Sequence, residues 1–595
     1  MIERFRAWAA SALVVCALAA AALVQASAEE RQTVPADPSD SAHFAASAKS
    51  LASAKSLDPA WDGAAREAFY HLDQGSQLIP LAWLQALKAK DGLPFVEDRM
   101  ERYGFLAGDA RPDRLPIGFS TAATPSGPMV GMTCAACHTR QISAGGRSYL
   151  IDGGPAFIDF QRFVSDLDQA VLVVAGDDAR FAAFAAAVLQ GDAGDAIKRN
   201  RLRDAVQVWS SRMHALVTGS MDSARPWGPA RLDAMQLIFN QLAGLDIGTS
   251  RDGLMRQNMK RGSAPVRYPF LWNAALQDHV QWGGFSKNGN DILALTRNLG
   301  QLYGVFGWFR PQQPSPGASA HWDYLAQNSA NLPELMKAEA LIKRIKPPAW
   351  PWSVDRGLAK RGAAIFARTP EEGGCAACHG EHQGAARSPG SVTWFTPRLD
   401  VGTDTSVWDH VLLREVATGT MEGASVPGYF PALKKTDSAL SLLEVSVLGS
   451  ILESQATRSS DMMKDMPEDG PAEMPPRPMV ETPPQDPRDA FKAYVYEARV
   501  LHGIWAAAPY LHNGSVPTLA DLLTPAAARP TRFAVGAAYD PVNVGLAKNQ
   551  APGTITLATT GCEARGSGTS RCGHEFGTNL PPEDRKALLE YLKTL

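Results

Sequence analysis

Cys375-Ala376-Ala377-Cys378-His379 and Cys134-Ala135-Ala136-Cys137-His138 are two copies of one five-residue pattern, C-x-x-C-H, and their reading decides the rest of the chain. On a helical turn, positions i, i+3 and i+4 project from one face, so two thiols can bond the two vinyl groups of one porphyrin while the imidazole faces its iron. The spacing points to one covalently attached haem c at each copy, with His138 and His379 as the proximal iron ligands. A thioredoxin-like redox pair makes no use of the histidine that follows. A zinc site needs a further Cys/His pair at finger spacing, which neither copy has.

Outward from the second copy, a helical pattern over 357–367 precedes Cys375. The chain ends in another, 581–595, opened by Pro581-Pro582-Glu583-Asp584 and bearing Leu588, Leu589, Tyr591 and Leu592 on its apolar side. First and last helices crossing beside the haem is the cytochrome c arrangement. The first copy is flanked differently, by Gly131-Met132-Thr133 and Thr139-Arg140-Gln141, so the two halves are not a simple duplication. Further helical patterns occupy about 159–190, 196–218, 229–245, 290–306, 329–345, 405–418 and 436–455, and strand signals are sparse. The expected fold class is therefore mainly α, with two cytochrome c-like haem domains, long loops and little strand. The expected first haem domain spans 58–347 and the second 348–595. Within the latter, a strap at about 458–488 carries Met462, Met463, Met466, Met474 and Met479 among prolines and acidic residues.

The 595 residues carry 58 Lys plus Arg against 61 Asp plus Glu, and 45% are hydrophobic, an ordinary globular composition without the basic excess that a polyanion needs. Nucleic acid is excluded as an expected partner. Arg4 and Arg6, the apolar stretch from Ala9 to Val24 and the small residues Ala26-Ser27-Ala28 read as a secretory signal at 1–28, cleaved near Ala28, followed by a mobile arm at 29–57. Cys16 leaves with the signal. The expected location is periplasmic or secreted, with no stable membrane span after cleavage, because no later apolar run reaches the 18 or more residues that a bilayer demands. Cys562 and Cys572 remain, ten apart in an oxidising compartment, and are expected to form a disulfide that rigidifies the segment holding His574. Closing so short a loop contributes about 2 to 3 kcal/mol.

The two C-x-x-C-H motifs, Pro269-Phe270-Leu271-Trp272-Asn273 followed by Gln281-Trp282-Gly283-Gly284, and Ala507-Ala508-Pro509-Tyr510-Leu511-His512-Asn513-Gly514 together resemble the bacterial dihaem cytochrome c peroxidase superfamily. Gly503-Ile504-Trp505, Arg529-Pro530, Tyr539-Asp540-Pro541 and Gly573-His574-Glu575-Phe576-Gly577 resemble its rubber-oxygenase-like dihaem branch. The resemblance implies that Trp282 lies between the haems and passes electrons, that His574 completes a His/His second haem, and that His512 orients loop and propionates. Met421 is the rival sixth ligand, giving a His/Met site. The sequence departs from the peroxidase pattern in two ways. No histidine follows the first motif between Gln141 and Phe163, which leaves the first iron open to peroxide or dioxygen. Where a glutamate would be the natural base, 291–305 offers Gln301 and Asn298, with Asp291 expected to cap the helix. The helix at 229–245 is a candidate apolar roof, suited to a hydrophobic organic substrate. The function expected is that of a haem-dependent oxidoreductase. The first haem reduces peroxide or activates dioxygen, Trp282 and Gln301 are catalytic, the second haem relays electrons, and a redox protein is donor or acceptor. The alternative is a pure electron-transfer cytochrome.

Overall fold

Helix α1 (Arg356–Phe366) crosses helix α2 (Pro582–Leu592) at Gly362, where a Cβ would lie 2.0 Å from the Ala587 carbonyl oxygen. Only a glycine admits so close an approach of two backbones. Asp355 caps the start of α1 by accepting from the Leu358 amide, and Phe366 meets Tyr591 with ring centroids 5.2 Å apart. In this computed structural model the second motif thus has the expected pair of helices beside it. The structure describes residues 54–57, 61–108, 111–314, 322–387, 392–464 and 494–595. The signal, nearly all of the arm and the strap beyond 464 lie outside the described residues.

The mainly α expectation is overturned. Helix accounts for 39% and strand for 15%. The described strands form two three-stranded and six two-stranded sheets. The two longest hairpins, each of two six-residue strands, flank the first motif. Strand β1 (Phe119–Thr124) pairs antiparallel with β2 (Gly127–Met132), in register from Phe119↔Met132 to Thr124↔Gly127. The motif follows as a single helical turn, Cys134–Cys137, with Thr133 capping it by accepting from the Ala135 amide. Strand β3 (Thr139–Ala144) then pairs with β4 (Arg147–Asp152) through Gly145 and Gly146, whose φ values of 58° and 74° are what a two-residue hairpin turn requires. Short strands at Ile79–Pro80 and Lys55–Ser56 extend the two sheets. The first site is therefore a helical turn clamped between hairpins. The polar residues Ser120, Thr139, Arg140 and Gln141 are buried in these strands, so the alternation that would have announced them is absent.

Long helices pack around this frame: Phe160–Ala175, Ala196–Ser220, Ala234–Gln241, Asp291–Tyr303, Leu332–Ile342 and Ala439–Lys464. The cap of Asp291–Tyr303 is Asn290, which accepts from the Leu293 amide; Asp291 instead pairs with Lys343. Residues 48–595 form one compact unit, and apolar side chains from both sides of residue 348 share clusters. Ile142, Tyr149 and Trp272 pack with Ile365, Trp505 and Leu588. Among the described residues no helix is long and apolar enough to cross a membrane.

Candidate functional site

At both motifs the histidine ring is fixed from behind by a distant carbonyl. His138 Nδ1 lies 2.8 Å from the Pro269 carbonyl oxygen, and His379 Nδ1 lies 2.7 Å from that of Arg499. A carbonyl only accepts, so each Nδ1 carries the proton and each Nε2 keeps its lone pair, the tautomer that a proximal metal ligand requires. Burial pushes His138 down to about 4 and lowers His379 too, which keeps both rings neutral. The thiols are pushed up by the same burial, Cys134 and Cys375 to about 11 and Cys137 to about 12. That is the reverse of what a redox-active C-x-x-C pair needs.

Beside the second motif is a cavity whose lining includes Cys375, His379, Trp282, Arg267, Arg499 and His574. The His574 ring faces that of His379 with centroids 6.2 Å apart. Two metal–nitrogen bonds of about 2 Å and the half-widths of two imidazoles, about 1 Å each, fill that span. His574 is half-buried with its Nδ1 out of solvent, and its ring is pushed down to about 3, first by desolvation and then by the neighbouring His379. Its backbone is left-handed, φ 52°, as it is at Trp282 (57°) and Leu511 (63°), which line the same cavity. Left-handed backbone is costly for side-chain-bearing residues, and such strain concentrates at functional sites. The His574 loop is anchored by the Cys562–Cys572 disulfide, by the bond from the His574 amide to the Val401 carbonyl (2.7 Å), and by the buried Arg529.

Several polar atoms in this cavity are buried without a hydrogen-bond partner: Arg499 Nε and Nη2, both Glu497 carboxylate oxygens and Thr403 Oγ1. Such orphans are expensive unless a ligand completes them. Two guanidiniums, of Arg267 and Arg499, suit the propionates of a haem, two thiols suit its vinyl groups, and two imidazoles suit its iron. The residues present fit haem c. Among the described residues no cluster of three His, Cys, Asp or Glu side chains could hold a bare metal ion. A porphyrin supplies four ligands itself, so one or two imidazoles suffice.

The remaining expected residues are placed as follows. Trp282 donates from Nε1 to the Arg267 carbonyl (3.1 Å), and the Arg267 guanidinium sits 4.6 Å from its ring. His512 lines the cavity, stacked on Tyr496 at 3.8 Å, and its carbonyl accepts from the Arg267 amide. Met421 is away from the cavity, fully buried in a separate cluster with Val416, Ala424 and Val426. Gln301 is exposed on its helix and is not brought to either motif's buried face. Asn298 points inward instead, donating to Glu339, which also takes a 2.6 Å bond from Arg297. This buried ion pair acts electrostatically on the Cys134 thiol and was not found from sequence, because its partners lie on separate helices. Leu237, Ile238 and Phe239, the expected roof, are buried.

At the first motif, the Cys134 thiol donates to Gln74 Oε1 (3.2 Å), and Tyr268 packs edge-on to His138 at 6.4 Å with its buried hydroxyl unpartnered. Arg140, fully buried, donates from Nη1 to the carbonyls of Ala506 and Ala508, both at 2.7 Å, tying the strand after the first motif to the segment around His512. Cys137 packs against a large apolar cluster. The same cluster supplies Leu78, Trp83, Leu202, Met213 and Phe306 to an open cleft of about 790 Å³.

Geometry of this kind suits a haem c protein. Residues 495–534, which include Arg499, His512 and Arg529, match the family described as RoxA-like, cytochrome c-like, which supports a relationship to the RoxA-like cytochromes. Over nearly its whole length the chain is similar to uncharacterized protein y4iJ of Sinorhizobium fredii, 29% identical over 91% of this chain and 93% of that one. A second protein of that organism, uncharacterized protein y4iM, is 28% identical over 55% of this chain and 63% of its own length.

Proposed function

We propose that the protein is an exported dihaem c-type oxidoreductase of the cytochrome c peroxidase superfamily, in which the second haem relays electrons and the first reduces peroxide or activates dioxygen. The observation that carries this reading is the asymmetry between the two motifs. His379 faces a second imidazole, that of His574, across 6.2 Å, whereas the ring against His138 is the phenol of Tyr268. Bound haem would supply one-electron chemistry and, at an iron with a single imidazole, a position for a small oxidant. The chain's part is to hold both proximal imidazoles neutral and aimed, to close the second site with His574, and to neutralise carboxylates with Arg267 and Arg499. The apolar cleft that shares its cluster with Cys137 supports a hydrophobic organic substrate. The disulfide and the N-terminal signature support export, and a protein donor or acceptor of electrons completes the cycle.

Mass spectrometry of the purified protein should show two covalently attached haems. Its resting spectrum should combine one low-spin and one high-spin haem, only the latter shifting with carbon monoxide or peroxide. His574→Ala should convert the low-spin component; an unchanged low-spin signal would refute the ligand assignment. Two low-spin haems in the wild type would instead identify a pure electron carrier.

A further inference from the structure

Tyr268-Pro269-Phe270 does more than fix one histidine. His138 Nδ1 donates to the Pro269 carbonyl at 2.8 Å, and the next carbonyl, of Phe270, accepts from Arg499 Nη1 at 3.0 Å. The Arg499 guanidinium lies over the Phe270 ring at 4.1 Å, and the Arg499 carbonyl accepts from His379 Nδ1 at 2.7 Å. From one proximal imidazole to the other there runs a series of covalent bonds broken only by three short hydrogen bonds. Electron tunnelling decays far less across covalent and hydrogen bonds than across a gap between packed atoms.

We propose that Arg499 is the link through which electrons pass between the two sites, by a route that does not include Trp282. This rests on the reading that both motifs carry haem. In each transfer the second haem loses one electron and the first gains it. The electron originates in a reduced donor protein and goes on to peroxide or dioxygen, and no bond or proton in the link is exchanged. The environment of Arg499 fits this task better than a scaffolding one. It is 5% exposed, its contact with Glu497 is a long 3.8 Å, and Nε and Nη2 have no hydrogen-bond partner although they belong to a residue lining the second cavity. A buried, half-satisfied guanidinium is a poor choice for stability alone. Here it reaches the Phe270 carbonyl with one nitrogen and leaves two for the second haem. Its positive charge also bears on His138, so it is a positioning residue for both sites.

The test uses the holoprotein with two haems verified by mass. Pulse radiolysis delivers one electron to the oxidised protein, and its redistribution between the haems is followed by absorbance in wild type, Arg499→Met and Arg499→Lys. Potentials are measured alongside. Lysine keeps the charge but its chain ends short of the Nη1 position. Both variants should retain the low-spin spectrum and slow the transfer by about tenfold to a hundredfold, the range over which loss of an outer partner acts at metal sites. Wild-type transfer in either variant, or a slowing accounted for by a changed potential difference, overturns the proposal. Loss of haem loading in both variants also overturns it, since Arg499 would then serve assembly. Fewer than two haems on the wild type would instead defeat the reading beneath it.

Discussion

Replacing Arg529 by methionine should release the loop that brings His574 to the second site. Arg529 is 2% exposed and spends all five of its N–H donors on main-chain carbonyls. Nε donates to Thr524 (3.1 Å), Nη1 to Arg571 and Gly573 (both 2.7 Å), and Nη2 to Leu522 (3.3 Å) and His574 (3.1 Å). Three of these hold the loop that carries His574. At about 1.5 kcal/mol each, the low end for bonds to a charged group, their loss weakens docking by about 4 to 5 kcal/mol. Each 1.4 kcal/mol is a factor of ten, so the population with His574 withdrawn rises about a thousandfold. Cyanide binds ferric haem only where the sixth position is free, so its affinity for the second haem reports that population directly. Titration of the haem-loaded protein at neutral pH should show cyanide binding to Arg529→Met about a thousandfold tighter, with Arg529→Lys between it and wild type. An affinity within tenfold of wild type, with both haems attached, would refute the claim that Arg529 holds the ligand loop.

Gly362→Ala places a Cβ 2.0 Å from the Ala587 carbonyl oxygen, and the resulting overpacking should cost about 1 to 3 kcal/mol, read as a lowered thermal midpoint; an unchanged midpoint would show that the helix crossing is looser than described. Burial raises the Glu497 carboxyl from 4.5 to about 7. Because its folded value lies above its unfolded one, the penalty is absent below about pH 4.5, grows through the interval and is complete above about pH 7. Glu497→Gln should therefore stabilise the protein at pH 8 by up to about 3 kcal/mol and leave it unchanged at pH 4, checked by denaturant midpoints at both; an equal gain at both values would mean that ionisation is not the cause. Cys562→Ser with Cys572→Ser opens a ten-residue separation and should cost about 2 to 3 kcal/mol, seen as a lower denaturation midpoint under non-reducing conditions, whereas a midpoint matching wild type would show the closure to be neutral.

What could be read from the sequence was what is encoded locally. Each C-x-x-C-H needs only five neighbouring residues, the helices at 196–220 and 291–303 show their period, and the helix pair 356–366 and 582–592 carries local start signals, the Asp355 cap of the first and Pro582 in the first turn of the second. The two hairpins around the first motif were missed although Gly145-Gly146 is a strong turn signal. Their strands bury Arg140, Gln141 and Thr139, which breaks the alternation, and Arg140 answers to carbonyls of a distant segment rather than to a repeating pattern. Met421 and Gln301 show the opposite failure: both residue types suit the chemistry, but tertiary packing sends Met421 into another cluster and leaves Gln301 in solvent. Arg499 and Glu339 act through partners on remote segments or through main-chain oxygen, which every residue possesses, so nothing in their own neighbourhoods marked them; Arg529 stood out only within the Arg529-Pro530 resemblance, which did not disclose its five carbonyl partners.

The carbonyls behind the two motif histidines lie 131 and 120 residues further along the chain. A nascent polypeptide that has emerged only as far as either pentapeptide can present its thiols, but it has nothing yet to hold the adjoining ring in line. On the reading that both motifs carry haem, attachment chemistry and ligand alignment are thus separate events in the life of the molecule. The later one waits for Pro269 and Arg499 to arrive, and maturation ends with the imidazoles rather than with the thioethers.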